Sequence, residues 1–381
     1  MKNEIMIHFE TLEDPRQQGK ILHPMKNIIF IVLVGALNRL DGWEEIADFA
    51  EYKRDFFEKY LDLSNGIPTD DTLRRFFQNL DPKSFQSHFM EWASSIVHSA
   101  DGKLVSIDGK RIRKASDMND SNPIHIVSAW VSENAMTLGQ LKVGEKTNEI
   151  TAIPQLIEIL NLKGATVTID AMGCQTDIVE KIIDAKADYV IGLKGNQPSL
   201  LEEAVETFKT FKPDHEFAVT ESGHGRIEER KHMFCSNLSC ILGKERWQGL
   251  RQVVRVDTRQ TNKKMGKVAS DSRYFITSHD ESMVDRVAYS IRRHWVIESM
   301  LWQLDVVFGE DLILKRIKNS AENFNMVRKM ILGLLRNDGV DYGNKKSVIE
   351  APDVTCRTRR NVSGESAAET LIRQKVFLKP S

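Results

Sequence analysis

Two apolar runs of this sequence end in an aspartate followed by a small-residue turn. "LVSIDGK" delivers Asp108 and "TVTIDAMG" delivers Asp170. If the two runs are neighbouring parallel strands, both acids stand at one rim, where open sheets with helices gather their ligands. Like charges held that close repel, and a divalent cation resolves the conflict. Magnesium suits such an all-oxygen site and keeps waters for phosphate oxygens. The plainer alternative for each aspartate is a turn or a helix cap. A third acid, Glu298, falls on a helical stripe with Val284, Val287, Ile291, Trp295, Trp302 and Asp305. A glutamate facing a core needs a partner or a metal, and Arg292, Arg293 and His294 offer the ordinary salt-bridge alternative. Two strand acids and one helix acid make the set that two-metal phosphoryl transfer requires.

Cations crowd the first acid: Lys110, Arg111, Arg113 and Lys114 follow Asp108 within six residues. Next to an acid that holds a metal they would hold a polyanion; otherwise they decorate a polar turn. Net charge is −1, so any nucleic-acid surface must be local and offset elsewhere. A second basic stretch runs from Arg251 to Arg273 and reads first as a solvated face.

The elements that must position these residues are legible from periodicity. Residues 1 to about 100 read as helical, with Trp43, Ile46, Ala47, Phe49 and Ala50 at helical spacing and Thr69, Asp70 and Asp71 opening a helix that carries Arg74 and Arg75. From Asp101 three β-rich runs follow: "KLVSID", "IHIVSAWVSE" and "AMTLGQLKVG". Helix and strand then alternate through "NEITAIPQLIEILNL", "ATVTIDAMG", "TDIVEKIIDAKA", "DYVIGLKGNQ" and "PSLLEEAVETFKTF". This order predicts a mixed sheet flanked by helices. Residues 212–280 form another β-rich block, and one long helix is expected from Ser282 to about Phe308. "AENFNMVRKMILGLLRN" makes a last helix before a tail without periodicity, expected to be poorly ordered over 341–381.

With 41% hydrophobic and 28% charged residues the chain is an ordinary globular one. Its four cysteines are too few and scattered for a disulfide framework, and Cys235 and Cys240 lack a zinc-type companion pair. The apolar run "IIFIVLVGAL" is about half of a bilayer span and reads as a buried core helix. A cytoplasmic location, with no membrane partner, is expected.

The motifs "SIDGKRIRK", "HIVSAW", "KTNEITAIPQLIEIL", "VTIDAMGCQ", "YVIGLKGNQPSL", "HGRIEER", "RRHWVIES" and "LDVVFGED" together resemble the DDE transposases of the H-repeat-associated insertion-sequence family. "LEDPRQQGK" and "IPTDDTLRRFF" resemble that family's transposase-associated helical domain. The resemblance runs in order from about Phe9 to Arg336. It implies an α/β fold: an RNase H-like mixed sheet flanked by helices over 101–340, with a β-rich insertion at about 212–280 and an N-terminal all-helical domain over 1–100. It implies that Asp108, Asp170 and Glu298 are the catalytic acids and hold two Mg²⁺ (or Mn²⁺). Lys110, Arg111, Arg113, Lys114, Lys194, Asn196, His224, Arg226, Arg230, His294 and Trp295 would lie against DNA or the terminal phosphate.

The implied partners are double-stranded DNA at element ends and at the target, and further copies of the chain in a synaptic complex, in the bacterial nucleoid. Strand cleavage and strand transfer are the implied reactions. A copy that only binds DNA, or a nuclease that cuts without joining, is the alternative. The sequence departs from the family pattern at Ser299, and Leu301-Trp302 stands one residue short of the usual spacing. Such a deletion turns the following helix by about 100° and would re-aim Asp305, Glu310 and Asp311.

Overall fold

The computed structural model describes residues 5–112, 124–144, 148–223, 225–264, 266–312 and 317–337. Arg113, Lys114 and His224, and the tail expected to be poorly ordered, lie outside the described residues. The N-terminal part holds helices α1 (Met25–Leu37), α2 (Trp43–Tyr52), α3 (Arg54–Phe57), α4 (Asp70–Asn79) and α5 (Pro82–Val97). Thr69 caps α4 by accepting from Thr72 N–H, and Asp81 caps α5 by accepting from Ser84 N–H, with Pro82 behind it. The apolar run that falls short of a bilayer span is α1, buried from Asn27 to Ala36. No helix among the described residues is long and apolar enough to cross a membrane.

The remaining elements, in chain order, are β1 (Leu104–Ile112), β2 (Ile124–Val131), β3 (Met136–Lys142), α6 (Glu149–Ile159), β4 (Thr166–Ile169), α7 (Thr176–Asp184), β5 (Asp188–Leu193) and α8 (Pro198–Thr210). After them come β6 (His215–Gly223), β7 (Arg226–Cys235), β8 (Gln252–Asn262), β9 (Val268–Thr277), α9 (Val284–Arg293), α10 (Trp295–Val306) and α11 (Ser320–Arg336).

Among the described residues the strands form one sheet in the order β3-β2-β1-β4-β5-β9-β8-β7-β6. β1, β4 and β5 run parallel, while β2 and β3 fold back antiparallel on β1. That is the RNase H-like arrangement. The β-rich block does not stand apart. β9 pairs antiparallel with β5, from Val190↔Thr277 to Leu193↔Tyr274, so β6 to β9 extend the same sheet.

α11 is the keel of the molecule. It packs on α1, α4 and α5 on one side and on β3 on the other. All but its last two side chains, Leu335 and Arg336, and Glu322 near its start are buried. One apolar core therefore runs from Ile5 through the N-terminal helices and the sheet to Leu334.

The long helix expected from Ser282 is two helices that meet at His294. His294 itself keeps helical dihedrals, φ −49° and ψ −41°, so the joint is a local irregularity. The His294 imidazole, held 3.1 Å from the Thr168 hydroxyl of β4, fixes the chain to the sheet at the joint. Beyond it the buried face of α10 is Ile297, Met300, Leu301 and Leu304. The apolar stripe read through both helices is thus broken: Trp295, Glu298 and Trp302 are exposed rather than core-facing.

Candidate active site

The register of β1 on β4 ends with Ile107 opposite Ile169, so Asp108 and Asp170 are the next residues along two adjacent parallel strands. Asp108 Oδ1 accepts from Gly109 N–H at 2.8 Å. Asp170 leaves its strand and caps a short turn, accepting from Met172 N–H at 3.0 Å. The turn is buttressed by the loop after β5, where Asn196 Nδ2 donates to Ala171 O at 2.6 Å and Gln197 Nε2 donates to Cys174 O at 2.9 Å. Asn196 thereby braces the turn after Asp170 while its side chain stays exposed.

Glu298 enters from the first turn of α10, just past the joint that His294 makes with β4. Thr168 also donates to Ser106 Oγ at 3.0 Å, so its hydroxyl links β1, β4 and the helix joint two residues before Asp170. Thr168→Val keeps the volume but strands the His294 ring nitrogen and the Ser106 hydroxyl. The substitution is expected to destabilise the fold by about 1–3 kcal/mol. Chemical denaturation measures this, and an unchanged midpoint would show that the tether contributes nothing.

The carboxylates sense each other. Burial pushes Asp108 up from 3.8 to about 7, and the charges of Asp170, Glu149 and Glu298 add to the rise. Glu298 is raised by partial burial and then by Asp170, while Lys194 and Arg273 oppose the shift. Burial lowers His294, with the Lys194 charge adding to the effect and Asp170 opposing it. Among the described residues no three His, Cys, Asp or Glu side chains form a ready-made ligand group for one ion. The acids are gathered within electrostatic reach without closing on a common point.

Asp170 and Glu298 stand on the wall of a cavity of about 850 Å³ that extends over the β7–β9 face, with Lys194, Arg230, Arg273 and Trp295 also on the wall. Asp108 lies off that wall, midway along β1, which runs on past it to Ile112 in its pairing with β2. The Arg273 guanidinium sits over the Trp295 indole, 5.3 Å from its centroid. Arg230 is buried and held by Glu221 at 3.0 Å and Glu228 at 2.7 Å, so its charge is already matched. Arg111, Lys194 and Arg226 are exposed.

Lys110 departs from the expected phosphate contact. Its ammonium turns inward and pairs with Asp305 and Glu310. The reason is strand geometry: Lys110 shares a face of β1 with Asp108, and α10 covers that face. In the basic stretch after Arg251, Arg251 pairs with Asp280, Arg255 with Asp257 and Arg273 with Asp271, as on a solvated face.

Glu149 is the acid that sequence reasoning missed. It opens α6 behind the Asn148 cap, and its Oε1 lies 2.7 Å from His125 Nε2 on β2. Gly109 makes its approach possible, since a Cβ there would come within 2.4 Å of Glu149 Oε1. The residue stands in "KTNEI", at the start of a segment read only as a helix.

Residues 94–334 match the family described as Transposase DDE domain, and residues 6–93 match the one described as DDE_Tnp_1-associated. The chain is 40% identical over 344 residues to "Putative transposase YncI" of Escherichia coli O157:H7, with 87% of each chain covered. It is 36% identical over 346 residues to "H repeat-associated putative transposase YhhI" of Escherichia coli strain K12, covering 88% of this chain and 91% of that one. A piggyBac transposase, solved by cryo-EM as a synaptic complex with hairpin DNA, aligns with 96% of this chain and 88% of its own at 11% identity and a TM-score of 0.42. With the DDE match spanning more than half of its length and relatives this similar along almost all of theirs, the chain belongs to the H-repeat-associated group of DDE transposases.

Proposed function

We propose that this protein cuts DNA at the ends of an insertion element and joins the freed 3′ ends to target DNA, with Asp108, Asp170 and Glu298 as its catalytic acids. The observation that carries the reading is the position of Asp108 and Asp170 directly after the last in-register pair of the parallel strands β1 and β4, with the Asp170 charge acting on both Asp108 and Glu298.

The residues fit hard divalent cations. All donors are carboxylate oxygens, and Asp108 is pushed up to about 7 by burial and neighbouring acids, a repulsion that a cation relieves. Asp108, Asp170 and Glu298 would hold two Mg²⁺ or Mn²⁺. Bound there, the ions would activate an attacking hydroxyl and neutralise charge on the leaving oxygen. The chain's own groups do the rest. Lys194 and Arg273, whose charges already act on Glu298, would draw a phosphate into the cavity. The Asn196 and His294 contacts hold Asp170 and the α10 joint still while it reacts. Exposed Arg111 and Arg226 would contact the DNA backbone, so binding should weaken steeply with salt. Joining two ends requires two copies of the chain, and the N-terminal helices would recognise the ends or pair the copies.

The test is a labelled element end incubated with purified protein and Mg²⁺ or Mn²⁺. Cleavage followed by joining is the expected result. Binding with neither step would mark an inactive remnant, and cleavage without joining would mark a nuclease.

A further inference from the structure

The contact that brings Glu298 toward Asp108 is made of two kinds of interaction. The buried face of α10 is apolar: Ile297, Met300, Leu301 and Leu304. Apolar contact is non-directional, so by itself it does not single out one axial placement of the helix as sharply as bonds between named polar atoms do. The ionic contact is different. Lys110 stands two residues after Asp108 on β1, and its ammonium donates to Asp305, seven residues and about two turns after Glu298 on α10. The same ammonium donates to Glu310, in the turn Glu310–Leu312 that follows α10.

Glu310 is 1% exposed, and Asn325 Nδ2 of α11 donates to its other oxygen. One turn along α11, Lys329 Nζ donates to Ser128 Oγ at 2.7 Å and to Gln140 Oε1 at 2.6 Å. Ser128 is the residue opposite Asp108 in the β1–β2 pairing. A chain of directional, charge-assisted bonds thus runs from the strand of Asp108 to the helix of Glu298 and back through α11 to the strand beside Asp108.

We propose that Lys110, Asp305 and Glu310 form a positioning clasp that sets the axial placement of α10 on β1, and through it the placement of Glu298 against Asp108. The proposal rests on the catalytic reading of those two acids. Its logic is mechanical. Buried ion pairs add little net stability, because desolvation offsets attraction, but they fix geometry. Displacing a reacting group by about 1 Å can cost on the order of 10²-fold in rate. None of the three clasp residues touches the cavity, so they act through Glu298 and not on DNA.

Asp305→Asn is the primary variant, because Asp305 is partly exposed, its side chain at 30%, and Asn is nearly isosteric. Lys110→Met is the second, and Asp305→Glu retains the anion. Hydrogen exchange over residues 295–306 is read without metal or DNA, beside single-turnover cleavage with Mn²⁺ and DNA affinity. Exchange in α10 should rise roughly tenfold in Asp305→Asn. Cleavage should fall about 10–100-fold while DNA affinity stays within about threefold. Asp305→Glu should recover most of both.

Folded variants with wild-type exchange in α10 would overturn the clasp. Faster exchange with unchanged cleavage would overturn its positioning role. A wild-type protein that never cleaves would defeat the catalytic reading, while exchange still decides whether the clasp holds the helix. Should Lys110→Met fail to fold, Asp305→Asn carries the test alone.

Discussion

Asp108→Asn is expected to abolish cleavage and joining, leave DNA affinity within about threefold, and make the metal-free protein more stable above neutral pH. The loss of activity should be on the order of 10³-fold or more, since several kcal/mol of charge stabilisation at the reacting phosphate disappears with the carboxylate. The gain in stability follows from linkage. Asp108 is raised from 3.8 to about 7 in the folded chain, chiefly by burial. The folded state therefore binds this proton more tightly than the unfolded state. The stabilisation from that proton is complete below about pH 4 and is lost as pH rises through about 7. At pH 8 the ionised side chain costs up to about 4 kcal/mol, taking roughly 1.4 kcal/mol per pH unit. Asn is neutral at every pH and removes that cost.

Denaturation midpoints of the two proteins in chelator should diverge between pH 4 and pH 7 and then run parallel. Adding Mn²⁺ at pH 8 should stabilise the wild type and not the variant. A variant less stable than wild type at pH 8 in chelator would contradict the burial of this charge among other acids. A variant that still cuts DNA would remove Asp108 from the chemistry.

The two aspartates were legible because a strand-end acid is a local signature. "TVTID" carries the strand, the acid and the turn within a few residues, whereas after "LVSID" the expected turn is absent and β1 runs on to Ile112; the parallel pairing of β1 with β4 makes the two acids neighbours. Glu298 was singled out on a premise that the structure does not keep. It was read as lying on a buried stripe, but His294 breaks the helix and Glu298 is exposed beside the cavity. The contact that marks the joint is invisible to periodicity, since His294 meets Thr168, 126 residues away.

Lys110 shows the same limit. As a cation among cations it looked like a phosphate contact. Its actual partners are Asp305 and Glu310, 195 and 200 residues further along the chain. Asn196, in a glycine-bearing loop, braces the turn after Asp170 through its Nδ2 and is still exposed. Local pattern identifies which residues are chemically able, while long-range packing decides which of them remain free to act.

Asp41→Ala should destabilise the whole chain by about 3 kcal/mol, at the lower end of what breaking a buried ion pair costs. Arg328 of α11 is 1% exposed, and its Nη2 donates to Asp41 Oδ1 at 2.5 Å. Its other terminal nitrogen, Nη1, is buried without a hydrogen-bond partner, and its guanidinium lies 4.9 Å from the Phe324 ring centroid. Removing Asp41 leaves a buried cation with only that ring to oppose its desolvation. Asp41 is itself partly exposed, with 41% of its side chain accessible, which places the effect at the low end of the range.

The effect should be felt globally because α11 belongs to both halves of the molecule. Asn323 Nδ2 donates to Phe77 O and Leu80 O, each at 3.0 Å, and the Phe324 ring meets Trp43 edge-on at 5.6 Å. Arg328→Met, which removes the cation along with its need for a partner, should cost clearly less than Asp41→Ala. The double variant should be no worse than Arg328→Met alone, since Asp41 then has no buried charge to satisfy. Equilibrium denaturation followed by tryptophan fluorescence separates these cases. If Asp41→Ala and Arg328→Met prove equally mild and strictly additive, the pair is an accessory of the surface and the apolar core alone joins the helices to the sheet.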